Sequence, residues 1–212
     1  MPPESLMVID AASFQAAAAA APSHMADLAT FKQLLTEWNE KMNLVGPSAL
    51  AEFWPRHAWD SAQLLKFEPK AEVWADLGTG AGFPGIVLAI LLKGRDGSRV
   101  HLIEGTTKRC VFLNEVVKTL DLPATVHNAR AEELKMTVDI VTARACAPLI
   151  RLVGYARPYL MSGATGYFFK GRDVEAEILE AKTRWTFDYS LKPSLSDASG
   201  RLVVVKGGVR AR

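Results

Sequence analysis

Residues 75–89 read ADLGTGAGFPGIVLA, and no other stretch limits the possible folds as tightly. An apolar run ends in Gly78, Gly80, Gly82 and Gly85, and a second apolar run starts at Ile86. Glycine turns a chain through backbone conformations closed to other residues, and it lets a ligand approach where a Cβ would collide. Pro84 falls in the first turn of the following segment, where its missing N–H costs a helix nothing. The pattern is a strand, a glycine loop and a helix whose free N–H groups face the loop.

From there strands and helices alternate. EVWADLG (72–78) reads as a strand and PGIVLAILLK (84–93) as a helix; RVHLIEG (99–105) is a strand and TKRCVFLNEVVKTL (107–120) a helix. ATVHNA (124–129) and VDIVTARA (138–145) are strands, LIRLVGYARPYL (149–160) a helix, TGYFFKG (165–171) a strand and VEAEILEAKTRW (174–185) a helix. TFDYSLK (186–192) and RLVVVKG (201–207) close the chain as a hairpin across a polar Ser/Asp/Gly stretch. The sum is seven strands in a doubly wound α/β sheet. A terminal hairpin departs from the usual dinucleotide fold, which continues βαβ. By analogy of fold it resembles the methyltransferase sheet, which ends on an antiparallel strand inserted beside its neighbour.

Ahead of the sheet lie helical patterns. Leu28, Phe31, Leu34, Leu35 and Trp38 make one apolar stripe; Leu50, Phe53 and Trp54 follow Pro47-Ser48; RHAWDSAQLL (56–65) comes after an interruption at Pro55. Three of the five tryptophans sit here, so these helices are expected to pack on the sheet. Residues 1–25, alanine-rich, are expected to form a disordered or marginally helical low-complexity lead-in. They lack the basic start and leucine-rich core of a secretion signal. The expected organisation is therefore a lead-in (1–25), helices packed on the sheet (26–70) and the α/β domain (71–212).

Composition removes several classes. No apolar run is long enough to span a bilayer, so no membrane role is expected. Cys110 and Cys146 lie far apart and His24, His57, His101 and His127 are scattered, so neither a disulfide framework nor a metal site is expected. The expected setting is the reducing cytoplasm. A net charge of +2 permits a nucleic-acid partner without requiring one.

Two glycine registers overlap, and they name different cofactors. Gly80-x-Gly82-x-x-Gly85 has dinucleotide spacing, but its strand would have to end in Asp-Leu-Gly-Thr. Asp76-x-Gly78-x-Gly80-x-Gly82 lets VWADL run straight into the turn, the arrangement that binds S-adenosylmethionine. That ligand has no pyrophosphate to cradle. Its cationic amino-acid part calls for an acid, and Asp76 stands at the strand end, where its other possible role is capping the turn. Thr79 lies in the same loop. Glu104 ends the second strand where a carboxylate accepts from ribose hydroxyls, a role that NAD would share. Ala131 and Glu132 follow the third strand, where an adenine is held. Arg144 ends the fourth, at the ligand-binding carboxyl edge.

WNEKMNLVG (38–46), RHAWDSAQLL (56–65), DLGTGAGFPGIVLAI (76–90), KRCVFL (108–113) and TARACAPL (142–149) together resemble signature blocks of the bacterial small-subunit rRNA guanine-7 methyltransferases, the RsmG/GidB family. The likeness covers about residues 27–185. Many methyltransferases share the glycine block; the Trp-Asn and Arg-His…Asp-Ser blocks are specific to this family. The resemblance implies a Rossmann-like class I methyltransferase sheet with a helical extension, S-adenosylmethionine as cofactor, and methylation of nitrogen 7 of the guanine at position 527 of 16S rRNA. It implies cofactor contacts at Gly78, Phe83, Ala131, Glu132 and Arg144. Cys146 departs from the block, which more often has another apolar residue there.

That chemistry agrees with what the sequence lacks. Nitrogen 7 of guanine carries a lone pair and no proton, so no catalytic base is needed and none is assigned, although Arg144 is a candidate for positioning. The Asp/Asn-Pro-Pro-aromatic cluster of amine methylation is missing. Cys146 has no Pro-Cys context and no acidic partner, so it reads as a packing residue rather than a nucleophile. RNA contact is expected at Arg56, His57, Lys108, Arg109 and Lys170, with Arg144, Arg151 and Arg157 on the same rim; lone charges of this kind also occur as solvated surface. The partner is 16S rRNA, the 30S subunit or an assembly intermediate, and the chain is expected to act as a monomer. An NAD-dependent oxidoreductase and an inactive cofactor-binding scaffold are the alternatives; the first lacks a Tyr-x-x-x-Lys or similar hydride-transfer set.

Overall fold

A computed structural model describes residues 7–212 of the chain. Its centre is a seven-stranded sheet built from β1 (Val73–Leu77), β2 (Arg99–Glu104), β3 (Ala124–Asn128), β4 (Ile140–Arg144), β5 (Thr165–Lys170), β7 (Tyr189–Pro193) and β8 (Arg201–Lys206). The spatial order is β3-β2-β1-β4-β5-β8-β7. β1 pairs in parallel with both β2 and β4, and β8 runs antiparallel between β5 and β7. The last long strand is thus inserted beside its neighbour, the feature that separates this sheet from the dinucleotide fold.

Alternation within β1 shows how the sheet is covered. Trp74 faces one apolar layer with α2 (Pro22–Met42), α3 (Pro47–Ala51), α4 (Trp59–Phe67), α5 (Gly85–Leu92) and α6 (Thr107–Thr119). Ala75 and Leu77 face the other, with α7 (Leu149–Met161) and α8 (Val174–Arg184). Helices on both faces bury a parallel sheet, which explains its near-continuous apolar strands. Order reverses between β1 and β4, so a crevice opens beyond their carboxyl ends.

Three expectations change. The alanine-rich lead-in forms α1 (Ala11–Ala18), with Asp10 and Ser13 closing a capping box at its start. Alanine has the best helix propensity, and Phe14 anchors the helix by burying its ring 5.4 Å from that of Trp54. Residues 1–6 of the lead-in lie outside the described residues. Pro55 does not interrupt the chain either: it sits inside a π-helical turn, Phe53–Ala58, that runs straight into α4. Finally, Trp185 leaves α8 to start β6 (Trp185–Thr186), which pairs with β9 (Arg210–Ala211) in a small second sheet. Two-residue strands carry no readable periodicity, so sequence had no signal for them. The described residues contain no helix long and apolar enough to cross a membrane.

Candidate active site

The glycine loop takes its shape from β1. Gly78, Gly80 and Gly82 all have left-handed φ, +64°, +58° and +95°. The N–H groups of Gly78 and Thr79 both donate to the Ile103 carbonyl at the end of β2, which pins the loop across the sheet. A Cβ on Gly78 would run into the Cys146 thiol, and one on Gly85 would collide with the Leu102 side chain and lie 2.8 Å from Asp76 Oδ2. Gly85 therefore lets α5 approach the strands, while Gly78 keeps the loop open beside Cys146.

Asp76 is fully buried at the loop's base. Its Oδ2 accepts from the Thr79 hydroxyl (2.5 Å) and the Gly85 N–H (2.8 Å). Its Oδ1 is buried with no hydrogen-bond partner among the described residues. Burial pushes the carboxyl up to about 6 despite those two donors. Glu104 is also buried, and it braces the loop: Oε2 accepts from the Gly80 N–H at 3.0 Å and Oε1 from the Thr106 N–H at 2.8 Å. Each oxygen keeps a second lone pair for a ligand hydroxyl.

Two cavities meet at this edge of the sheet. The first, about 350 Å³, is lined by Gly78, Ile103, Gly105, Ala131, Glu132 and Cys146 among others, the chain segments that follow β1 to β4. Ala131 and Glu132 start a short 3₁₀ turn, and the Tyr159 hydroxyl fixes it by donating to the Ala131 carbonyl (2.9 Å). The Cys146 thiol is held above its ordinary value, by its seat in the cleft first and then by Asp76 and Glu104. That is the reverse of nucleophile activation.

The second cavity, about 460 Å³, takes most of its lining residues from charged and polar types, Arg56, His57, Asp60, Arg144, Lys170 and Asp197 among them, although apolar atoms make up more of its exposed wall. Arg144 and Ala145 lie at the boundary, since Cys146 already belongs to the first cavity. The Arg144 guanidinium donates to His57 Nδ1 (2.7 Å), pairs with Asp60 Oδ2 (3.3 Å) and lies 5.1 Å from the centre of the Phe83 ring. His57 stacks on the same ring, with centroids 4.9 Å apart. Burial, then Arg144 and Arg56, lower His57 to about 4, so the ring is neutral near pH 7. Asp60 Oδ1 accepts from the Ser196 hydroxyl at 2.7 Å.

The basic residues expected on one rim divide into groups. Arg56 pairs with Asp197 at 2.7 Å but stays half-exposed. Lys170 is only 9% exposed and is committed to Glu177 (2.7 Å) and the Ala147 carbonyl (2.8 Å). Lys108 faces solvent at the start of α6. The Arg109 side chain is 42% exposed and also brings its guanidinium to within 3.8 Å of Glu104. The fold brings Arg56, His57, Arg144 and Lys170 to one cavity and leaves Lys108 outside it.

Asp60 lies in the RHAWDSAQLL block and residues 194–200 in the polar stretch of the terminal hairpin, and neither carried a site expectation. Both belong to the site: Ser194, Asp197 and Gly200 line the polar cavity, and Ser196 holds Asp60. The available signal was a Ser/Asp-rich connection entering a strand at the sheet's ligand-binding edge. Tyr155 of α7, on the wall of the first cavity, had no signal beyond a helical period.

The family model described as rRNA small subunit methyltransferase G matches residues 24–202. The chain belongs to that family. It is 59% identical over 205 residues to the ribosomal RNA small subunit methyltransferase G of Caulobacter vibrioides strain NA1000, covering 97% of this chain and 95% of that one. The protein of the same name from Methylorubrum populi is 48% identical over 81% of this chain and 82% of its own. Among solved structures, a SAM-dependent methyltransferase from Aquifex aeolicus superposes with a TM-score of 0.54 at 16% identity, over 82% of this chain and 97% of that one. A putative O-methyltransferase from Klebsiella pneumoniae gives 0.57 at 13% identity, over 84% and 90%. These two likenesses establish the methyltransferase fold. The small subunit methyltransferase G family makes this chain an rRNA methyltransferase whose methyl donor is S-adenosylmethionine.

Proposed function

We propose that this chain methylates nitrogen 7 of a guanine in 16S rRNA, at position 527 by family resemblance, with S-adenosylmethionine in the glycine-loop cleft and the guanine in the polar cavity. The observation that carries the reading is the meeting of a glycine-floored cleft and a polar cavity at Arg144–Cys146. The residues fit the cofactor. An orphaned buried oxygen, Asp76 Oδ1, stands beside the loop for an ammonium, and a side chain at Gly78 would fill the cleft wall. Glu104 keeps lone pairs for ribose hydroxyls, and Ala131 and Glu132 flank an adenine site.

S-adenosylmethionine supplies a methyl group on a positively charged sulfur. The chain's task is alignment. The guanine lone pair needs no base, and the site offers none aimed at it: Asp60 is engaged by Ser196 and Arg144, and His57 Nδ1 already accepts from Arg144. Holding two reactants in line contributes about 7–11 kcal/mol to a reaction of this kind. Arg144, anchored by Asp60 and His57, lies between the two ligands and contacts both in this reading. We take residues 71–212 as the methyltransferase unit, residues 26–70 as helices that complete its substrate side, and the protein as a monomer acting in the cytoplasm, where ribosomal subunits are found.

The test supplies radiolabelled S-adenosylmethionine with naked 16S rRNA, 30S subunits and assembly intermediates from cells lacking the modification. Label on one guanine, released by cleavage specific for 7-methylguanine, is expected. Label on a pyrimidine or an exocyclic amine, or none on any of the three substrates, overturns the reading.

A further inference from the structure

We propose that His57 is a positioning residue: its Nδ1, by accepting from Arg144, joins Asp60 in fixing the guanidinium on the wall between the two cavities. The inference rests on the reading of those cavities as cofactor and substrate sites, and it assigns His57 a task other than touching phosphate.

Arginine only donates, so a 2.7 Å contact between Arg144 Nη2 and His57 Nδ1 requires a bare Nδ1 and places the ring proton on Nε2. The ring cannot turn freely to offer its other edge, because it stacks on Phe83 at 29° between planes. Its backbone is held as well, with the Ser61 hydroxyl donating to the His57 carbonyl at 2.6 Å.

The guanidinium is fixed from several sides at once. Nη1 reaches Asp60 Oδ2 (3.3 Å) and the Arg56 carbonyl (3.2 Å), Nη2 reaches His57, and the flat face lies near Phe83. Asp60 is fixed in turn by Ser196 and by the Gln63 side-chain amide at 2.9 Å. With a side chain only 18% exposed, Arg144 has lost most of its water, so each protein acceptor matters more than at the surface. Asp60 alone leaves one nitrogen of the fork without a charged or ring partner; His57 supplies it. A guanidinium free to swing would not stay at the boundary, where small misplacements weaken orientation steeply.

A proton on Nδ1 would turn the acceptor into a donor facing a cation. Charged groups facing His57 are Arg144 from β4 and Asp60 from α4; its neighbour Arg56 is paired with Asp197, and Lys170 and Glu177 line the same cavity as an ion pair. The cationic excess at the ring favours the unprotonated state that the geometry uses.

The test compares His57→Phe, which keeps a stacking ring without an acceptor, with His57→Asn, whose amide oxygen can take the Nδ1 position. We expect His57→Phe to lose at least tenfold in kcat for methyl transfer to 30S subunits, with S-adenosylmethionine Kd within about threefold of the parent, and His57→Asn to recover most of that loss. In an Arg144→Ala background the same His57→Phe change should have little further effect, because the two act as one unit. Parent-like turnover in His57→Phe, no recovery in a folded His57→Asn, or losses that simply multiply would each overturn the proposal. Ring ¹⁵N shifts of His57 test it without substrate: a fixed Nε2–H tautomer is expected in the parent and a mixture in Arg144→Ala. A parent with a fixed ring that methylates nothing removes the functional reading alone. An active parent with a mixed tautomer removes the positioning role alone.

Discussion

Single residues at the loop carry separable duties. Gly80 has φ +58°, yet a Cβ there would meet only the Gly78 carbonyl at 3.8 Å, so its replacement costs backbone strain without collision. Gly85 is the opposite case, free of left-handed strain but crowded by Leu102 and Asp76. We predict that Gly80→Ala loses roughly 1–2 kcal/mol in urea unfolding, together with cofactor affinity. Gly85→Ala should lose about 1–3 kcal/mol through overpacking of α5 against β2. A Gly85→Ala protein of unchanged midpoint would contradict the packing role. Asp76 yields a second expectation. Its folded value, about 6, lies above its ordinary 3.8, so folding takes up a proton between those values. This group's contribution to stability is therefore greatest at low pH and is lost as pH rises through that window. Cofactor binding should run the other way, weakening below about pH 6 as the carboxylate is neutralised. Asp76→Asn keeps the shape, so we expect a thermal midpoint at pH 7 equal to or above the parent's and at least tenfold weaker S-adenosylmethionine binding by calorimetry.

Elements deliver these residues, and two of them differ from what local sequence implies. A proline in a helical pattern reads as a break, yet the π-helical turn absorbs Pro55 and presents Arg56 and His57 to the polar cavity. Single-turn π segments often mark functional sites. The alanine run reads as low complexity, yet Phe14 converts it into a packed helix. The neighbouring strands β2 and β3 carry a further device. His101 Nδ1 and His127 Nε2 lie 3.0 Å apart, one donating to the other, and burial lowers both rings, His127 adding to the effect on His101. Histidines with depressed folded values stabilise the fold fully above their ordinary 6.5, and that contribution is lost as pH falls. We predict a urea midpoint that drops from pH 7 to pH 5, with His57 acting in the same direction and Asp76 partly offsetting it below about 6, and a flatter profile in His127→Gln. An equal drop in the variant would exclude the pair as the source.

At the scale of the molecule, the reversal of strand order between β1 and β4 opens the crevice, and the inserted β8 brings the 194–200 connection to its rim. Binding to rRNA should weaken linearly with salt on logarithmic axes, each phosphate contact contributing a slope of about 0.7 to 0.9. Lys108, exposed and outside both cavities, should behave as a pure phosphate contact: Lys108→Ala lowers RNA affinity and flattens the salt response while the cofactor Kd stays put. Arg109→Ala should weaken the cofactor as well, because its guanidinium faces Glu104 under the glycine loop. Paired titrations of cofactor and RNA at two salt concentrations separate them; identical behaviour of the two variants would remove the distinction.

Neighbouring residues are enough to read the α/β alternation, the glycine register and the family, through short apolar strands, helical stripes, and Asp76 placed ahead of Gly78, Gly80 and Gly82. Which charges are free depends on long-range packing. Lys170 and Lys108 are alike as letters, yet one is sealed against Glu177 and the other is solvated. Asp60, His57, Phe83 and Arg144 come from separate segments and meet because the helical extension docks beside the crevice at the end of β4. Local patterning records how each segment folds. The partner of a buried charge depends on which distant segment closes over it, and no local period encodes that.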